Sequence, residues 1–153
     1  MKQVGFTSKR NNLFVFLFLC FGIINFHCAK TAQAFRIPEK EVQSTSARIY
    51  VIRTYFYVAS AVGAPVYQNN SIVGRIGTKG YLAWDTQPGE VLLQSGAEFI
   101  KVIAQPGKTY YFKLQANLIS FNKATLFKLK NIQEQEATEL IKKFNPPKVK
   151  VVS

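Results

Sequence analysis

Turn signals recur so often between Pro65 and Lys108 that only short strands fit between them. Asn69-Asn70-Ser71, Gly77-Thr78-Lys79-Gly80, Gln87-Pro88-Gly89-Glu90 and Gln105-Pro106-Gly107-Lys108 each combine residues suited to a tight reversal. In both Q-P-G turns proline presets φ at the first corner and glycine accepts positive φ at the second. Asparagine tolerates the same region, so 65–68 and 72–76 read as a hairpin. The intervening runs 81–85, 91–94 and 99–104 are apolar and strand-like.

The clearest alternation follows the second Q-P-G turn. Tyr110, Phe112 and Leu114 are expected to face a core, with Thr109, Tyr111, Lys113 and Gln115 facing out. Residues 124–130 repeat the pattern, with Thr125, Phe127 and Leu129 opposite Leu126, Lys128 and Lys130. Upstream, Ala47–Arg53 is dense in β-branched and aromatic residues and predicts a strand, which Thr54-Tyr55-Phe56-Tyr57-Val58 either extends or leaves as an aromatic loop. One stretch has helical period: Ala137, Leu140, Ile141 and Phe144 fall at i, i+3, i+4 and i+7 within 133–144. Its glutamates come early and its lysines late, as the helix dipole favours, and Asn145-Pro146-Pro147 stops it. The expected fold is mostly β, an antiparallel β-sandwich of short strands with one C-terminal amphipathic helix.

Residues 1–34 read as a secretory signal peptide. Lys2, Lys9 and Arg10 give a positive start, and the apolar run 13–26 follows. Ala32-Gln33-Ala34 then supplies a small-x-small site, predicting a cut between Ala34 and Phe35. Two rivals are weighed. An uncleaved anchor would need about 20 apolar residues to span, and this run has 14. Even uncleaved, the positive flank would send the remainder outward, with 13–26 as a membrane tether. A lipoprotein would need a cysteine after small residues, whereas Cys28 follows Phe26-His27 and Cys20 follows Phe18-Leu19. Residues 35–46 read as a flexible linker, 47–144 as the folded domain and 145–153 as a basic tail, either frayed or a late edge strand.

Both cysteines and the single histidine lie within those first 34 residues, so the remainder is free of Cys and His. It has no disulfide framework and lacks the commonest nucleophiles, bases and metal ligands. No cofactor and no metal are expected, and no calcium loop or phosphate-cradling glycine pattern is present. From Phe35 onward 16 basic residues face eight acidic ones, a net +8. That balance favours anionic partners in an envelope, such as lipid headgroups or acidic glycans; it would also suit nucleic acid, but export argues against that.

The run 47–140 resembles a bacterial family described as domain of unknown function 2846. The resemblance rests on A-R-I-Y-V-I-R at 47–53, Pro65-Val66-Tyr67 with its hairpin, Val73-Gly74, Gly80-Tyr81, Q-P-G-E leading into Val91-Leu92-Leu93, and Q-P-G-K-T-Y-Y-F at 105–112. A more distant likeness is to PEGA-type surface domains. The resemblance implies an exported, often lipid-anchored β-sandwich-like domain with no assigned activity, so it carries over no functional residues. The chain departs from the lipoprotein pattern at its cysteines.

The candidate recognition surface comprises Tyr55 and Tyr57 with Lys113, Lys128 and Lys130, because exposed rings and a basic strip suit a protein partner or an anionic surface. Tyr67, Tyr81, Trp84 and Tyr111 belong to the same aromatic set, most of which is expected to pack the core or cover strand edges. Lys101, Lys113, Lys128 and Lys130 are expected to be exposed and to form one basic face, or simply a solvated one. Asp85 and Glu90 flank a Q-P-G turn and are the nearest thing to a carboxylate pair. The reading is a non-catalytic protein exported to the periplasm or cell envelope that binds an envelope protein or an anionic envelope component. A structural accessory module of an envelope complex is the alternative, and a hydrolase, carboxylate-based or built on a Ser-Lys pair from Ser60, Ser71, Ser95 or Ser120, the third.

Overall fold

The computed structural model describes residues 30–33, 41–56, 60–116, 127–144 and 146–149. Among these residues ten strands and one helix follow in chain order: β1 (Ala32–Gln33), β2 (Ala47–Arg53), β3 (Ala64–Gln68), β4 (Ser71–Ile76), β5 (Gly80–Thr86), β6 (Gly89–Ser95), β7 (Glu98–Ala104), β8 (Thr109–Ala116), β9 (Phe127–Asn131), α1 (Glu134–Lys143) and β10 (Lys148–Val149). They form a six-stranded sheet, β10-β1-β4-β3-β6-β7, and a four-stranded sheet, β5-β2-β8-β9. The fold is therefore mostly β and sandwich-like, with a helix toward the C-terminus, as the sequence pattern predicts.

The turns obey local chemistry. Asn69 and Asn70 sit at φ 48° and 66°, the double positive φ of a two-residue hairpin loop. Gly107 takes φ 69° while Lys108 N–H closes the Q-P-G-K turn on Gln105 O at 3.2 Å. Gly89 carries φ 130° in the other Q-P-G turn. A bulge at Val73 shifts the hairpin register, since Val66 pairs with Gly74 and Tyr67 with Ile72.

The sheets are not purely antiparallel. β2 pairs with β5 antiparallel but with β8 parallel, Tyr50 opposite Tyr111 and Val51 opposite Phe112. Between β2 and β8 the chain leaves this sheet for β3 and β4, returns for β5 and leaves again for β6 and β7, so β8 arrives in the direction in which β2 set out. Ile49, Val51, Phe112 and Leu114 meet Val66, Val91 and Leu93 between the sheets in one fully buried core. Each such side chain contributes about 1.5–3 kcal/mol relative to exposure.

Polar side chains stitch the layers together. Trp84 Nε1 donates to Gln68 Oε1 at 2.6 Å, and Gln68 Nε2 donates to Thr86 Oγ1 at 2.8 Å. The Tyr110 hydroxyl donates to Ile103 O and accepts from Gln105 N–H, fastening the turn between β7 and β8. Arg53 is buried, donates to the carbonyls of Ile76 and Val62, and lies 4.7 Å from the Phe127 ring centroid.

The described residues at both ends are structured. Residues 41–46, read as part of a flexible linker, make a turn: Ser46 N–H donates to Gln43 O and Ser46 O accepts from Gly107 N–H. Lys148–Val149 of the basic tail forms β10 and pairs parallel with β1.

Candidate functional site

The outer face of the four-stranded sheet carries the tyrosines. Register places Tyr50 of β2 beside Tyr111 of β8 and, two residue pairs along the ladder, diagonal to Tyr81 of β5. The rings of Tyr50 and Tyr111 stack with centroids 5.3 Å apart, and those of Tyr50 and Tyr81 lie at 6.3 Å. Helix α1 covers this face, packing Ala137, Leu140, Ile141 and Phe144 with Ile52 and Ile132 against the three rings. Tyr81 and Tyr111 thus build a second small core. Burial raises the hydroxyl pKa of both; Tyr50 adds to the effect at Tyr81, and Glu134 adds to it at Tyr111.

At one edge of this face Arg48 grips Asp85 bidentately, Nε to Oδ1 at 2.7 Å and Nη2 to Oδ2 at 3.1 Å. The hydrogen bond to Asp85 raises the Arg48 pKa above the ordinary guanidinium range. Glu90, the other carboxylate flanking the first Q-P-G turn, lies on β6 in the opposite sheet and pairs with Lys101 at 3.0 Å. Each of the two acids is held by its own cation, on a different sheet.

The lysines do not form one face. Lys101 is on β7 of the six-stranded sheet, whereas Lys113, Lys128 and Lys130 share the outer face of the four-stranded one. Lys113 is half-buried rather than exposed, because α1 crosses beside it and Glu136 pairs with it at 2.8 Å. That pair also relieves the repulsion between Lys113 and Lys130, which stand directly opposite. Lys128 and Lys130 are exposed.

Tyr55 is exposed, and the Lys79 ammonium lies 5.6 Å from its ring centroid. Lys79 was not among the residues picked out from the sequence. Its place in a glycine-flanked turn, at φ 54°, is the only signal that it projects from the fold. Tyr57, Ala34 and Phe35 lie outside the described residues. Trp84 is buried in the core and Tyr67 half-buried. The recognition set therefore divides: Tyr55, Lys128 and Lys130 are at the surface, joined there by Lys79, while Lys113, with Tyr81 and Tyr111 of the wider aromatic set, holds the helix.

Sequence reasoning also missed the largest exposed apolar side chains. Phe99 and Ile103 on β7 are 65% and 61% exposed. They flank Lys101 on the outer face, while Val102 and Ala104 point into the core. Among the described residues β7 is an edge strand of its sheet, with β6 as its one ladder partner, so these side chains sit beside an open backbone edge. Register continues the surface inward: Phe99 opposes Gln94, Gln94 opposes Tyr67, and Tyr67 opposes exposed Ile72.

Among the described residues no group of His, Cys, Asp and Glu could hold a metal ion, and no helix is long and apolar enough to cross a membrane. Comparison with protein families, curated proteins and solved structures finds no match.

Proposed function

We propose that this is an exported, non-catalytic envelope protein that binds a protein partner through the outer face of β7 and its neighbouring strands. The observation that carries the reading is the exposure of Phe99 and Ile103 on an edge strand, a combination that natural sheets avoid unless something covers it. Export is supported by the positive start and the apolar run 13–26. Kinship with the domain of unknown function 2846 family is part of the proposal. It is supported by Q-P-G-K-T-Y-Y-F, which forms the turn into β8 and the strand that pairs with β2.

A second reading has its own observation. Tyr55, Lys79, Lys128 and Lys130 present a ring and three ammonium groups without the apolar surround of β7, which suits an anionic envelope component such as a lipid headgroup or acidic glycan. The two readings separate by substitution. Phe99→Ser with Ile103→Ser abolishes recovery of a defined partner if the edge binds it, and Tyr55→Ala with Lys79→Ala leaves that recovery intact. Stoichiometric co-fractionation that tolerates both pairs of changes counts instead for a structural accessory module of an envelope complex. Turnover of envelope glycans or esters, abolished by Asp85→Asn or Glu90→Gln, would overturn the non-catalytic assignment.

A further inference from the structure

The small-x-small motif that marks a cut after Ala34 overlaps a strand of the fold. Ala32 and Gln33 form β1, which lies between β4 and β10 in the six-stranded sheet, with Ala32 opposite Arg75 and Gln33 opposite Gly74. The Gln33 side chain is 2% exposed, and its Oε1 accepts the buried N–H of Ala83 on β5 at 3.1 Å. Thr31 Oγ1 accepts the N–H of Gly77 at 2.9 Å. So Thr31 and Gln33 satisfy two backbone donors, one in the turn after β4 and one on β5 of the other sheet.

The receiving surface is shaped to them. A Cβ on Gly74 would stand 2.5 Å from Ala32 O and 2.8 Å from Gln33 Cα. A Cβ on Gly80 would meet Thr31 Oγ1 at 1.9 Å. Both glycines are the residue type that lets another backbone or side chain approach this closely. Loss of the segment would strip Ala83 and Gly77 of these acceptors and leave β10 without the neighbour it pairs with.

We propose that Thr31–Gln33 is a permanent strand of the working protein, and that processing at Ala34 does not occur. Any cut lies upstream of Thr31, or the leader stays attached and holds the domain close to the membrane through 13–26. The proposal depends on the export reading only for what the upstream residues do.

Two measurements on the full-length gene product decide it. The first is the intact mass of the protein recovered from fractionated cells. A mass that includes residues 31–33 is expected, and a mass for 35–153 overturns the proposal. A full-length mass found only in the cytosol would leave the strand in place and sink export instead. The second is Gly74→Ala, expressed as the full chain. With β1 seated, its new methyl collides with β1, and a fall in Tm of about 5 °C or more is expected. With β1 removed by processing, the atoms nearest to that methyl are gone, so an unchanged or raised Tm overturns the proposal.

Discussion

Arg48 and Asp85 meet across the β2–β5 ladder, directly opposite in register, with both guanidinium–carboxylate bonds made. The pair closes one edge of the face on which α1 lies, and it fixes a carboxylate that would otherwise sit free beside the Q-P-G turn. Arg48 is mostly buried and Asp85 about one-third exposed, so solvent screens the pair in part. Asp85→Ala is expected to cost about 1–2 kcal/mol by denaturant unfolding. Glu90→Ala removes only an exposed pair with Lys101 and is expected to stay within about 0.5 kcal/mol. Equal losses would contradict the division between a structural and a surface acid.

The tyrosine cluster makes stability fall at alkaline pH. Tyr81 and Tyr111 have folded pKa values above the ordinary 10.0, through burial first. The unfolded chain ionises first as pH rises past 10, so it binds fewer protons than the folded chain and unfolding is favoured. Below pH 10 both states hold the proton and the contribution is complete. Unfolding free energy is expected to be level from pH 8 to 9.5 and to decline above about 10. In absorbance titration of the phenolates, Tyr81→Phe and Tyr111→Phe should each remove amplitude from the late part of the curve. Loss from the early part instead would contradict the burial of these rings under α1.

The hairpin between β3 and β4 separates two asparagines by role. Asn69 Oδ1 accepts the Leu92 N–H at 2.9 Å, and Asn69 N–H donates to Leu92 O at 2.9 Å, so this residue ties the loop to β6. Asn70 contributes its positive φ. Asn70→Gly relieves that conformation and is expected to stabilise by a few tenths of a kcal/mol, up to about 1. Asn69→Gly keeps the φ and loses the side-chain acceptor, costing about 1 kcal/mol. Chemical denaturation of the two variants checks the order, and a reversed order would count against this register.

How far the chain could be read depends on where the period was decisive. In β8 and β9 the strict alternation places Phe112, Leu114, Phe127 and Leu129 inside, and they are buried. In 99–104 Phe99 and Ile103 share a face with Lys101, so the period turns them outward once Lys101 is exposed; their apolar character argues for burial and hides that consequence. The helix was legible from its i, i+3, i+4, i+7 stripe, but not its landing place, because the stripe says that a face is covered and not by what. That is why Tyr111 and Lys113 read as outward-facing while α1 half-buries them. The parallel pairing of β2 with β8 joins residues about 60 apart, with no local signal linking them. At Thr31–Gln33 small and polar residues suit a peptidase site and a tight strand alike.

The central claim is that β7 is covered by a protein partner in the envelope. The direct test places a photo-crosslinking residue at Ile103 in living cells, with Gln135 on the exposed side of α1 as the control position. A discrete crosslinked species from position 103, absent from position 135 and lost on Phe99→Ser, is the predicted result. Equal crosslinking from both positions, or none from 103 in protein that is folded and exported, would contradict the account.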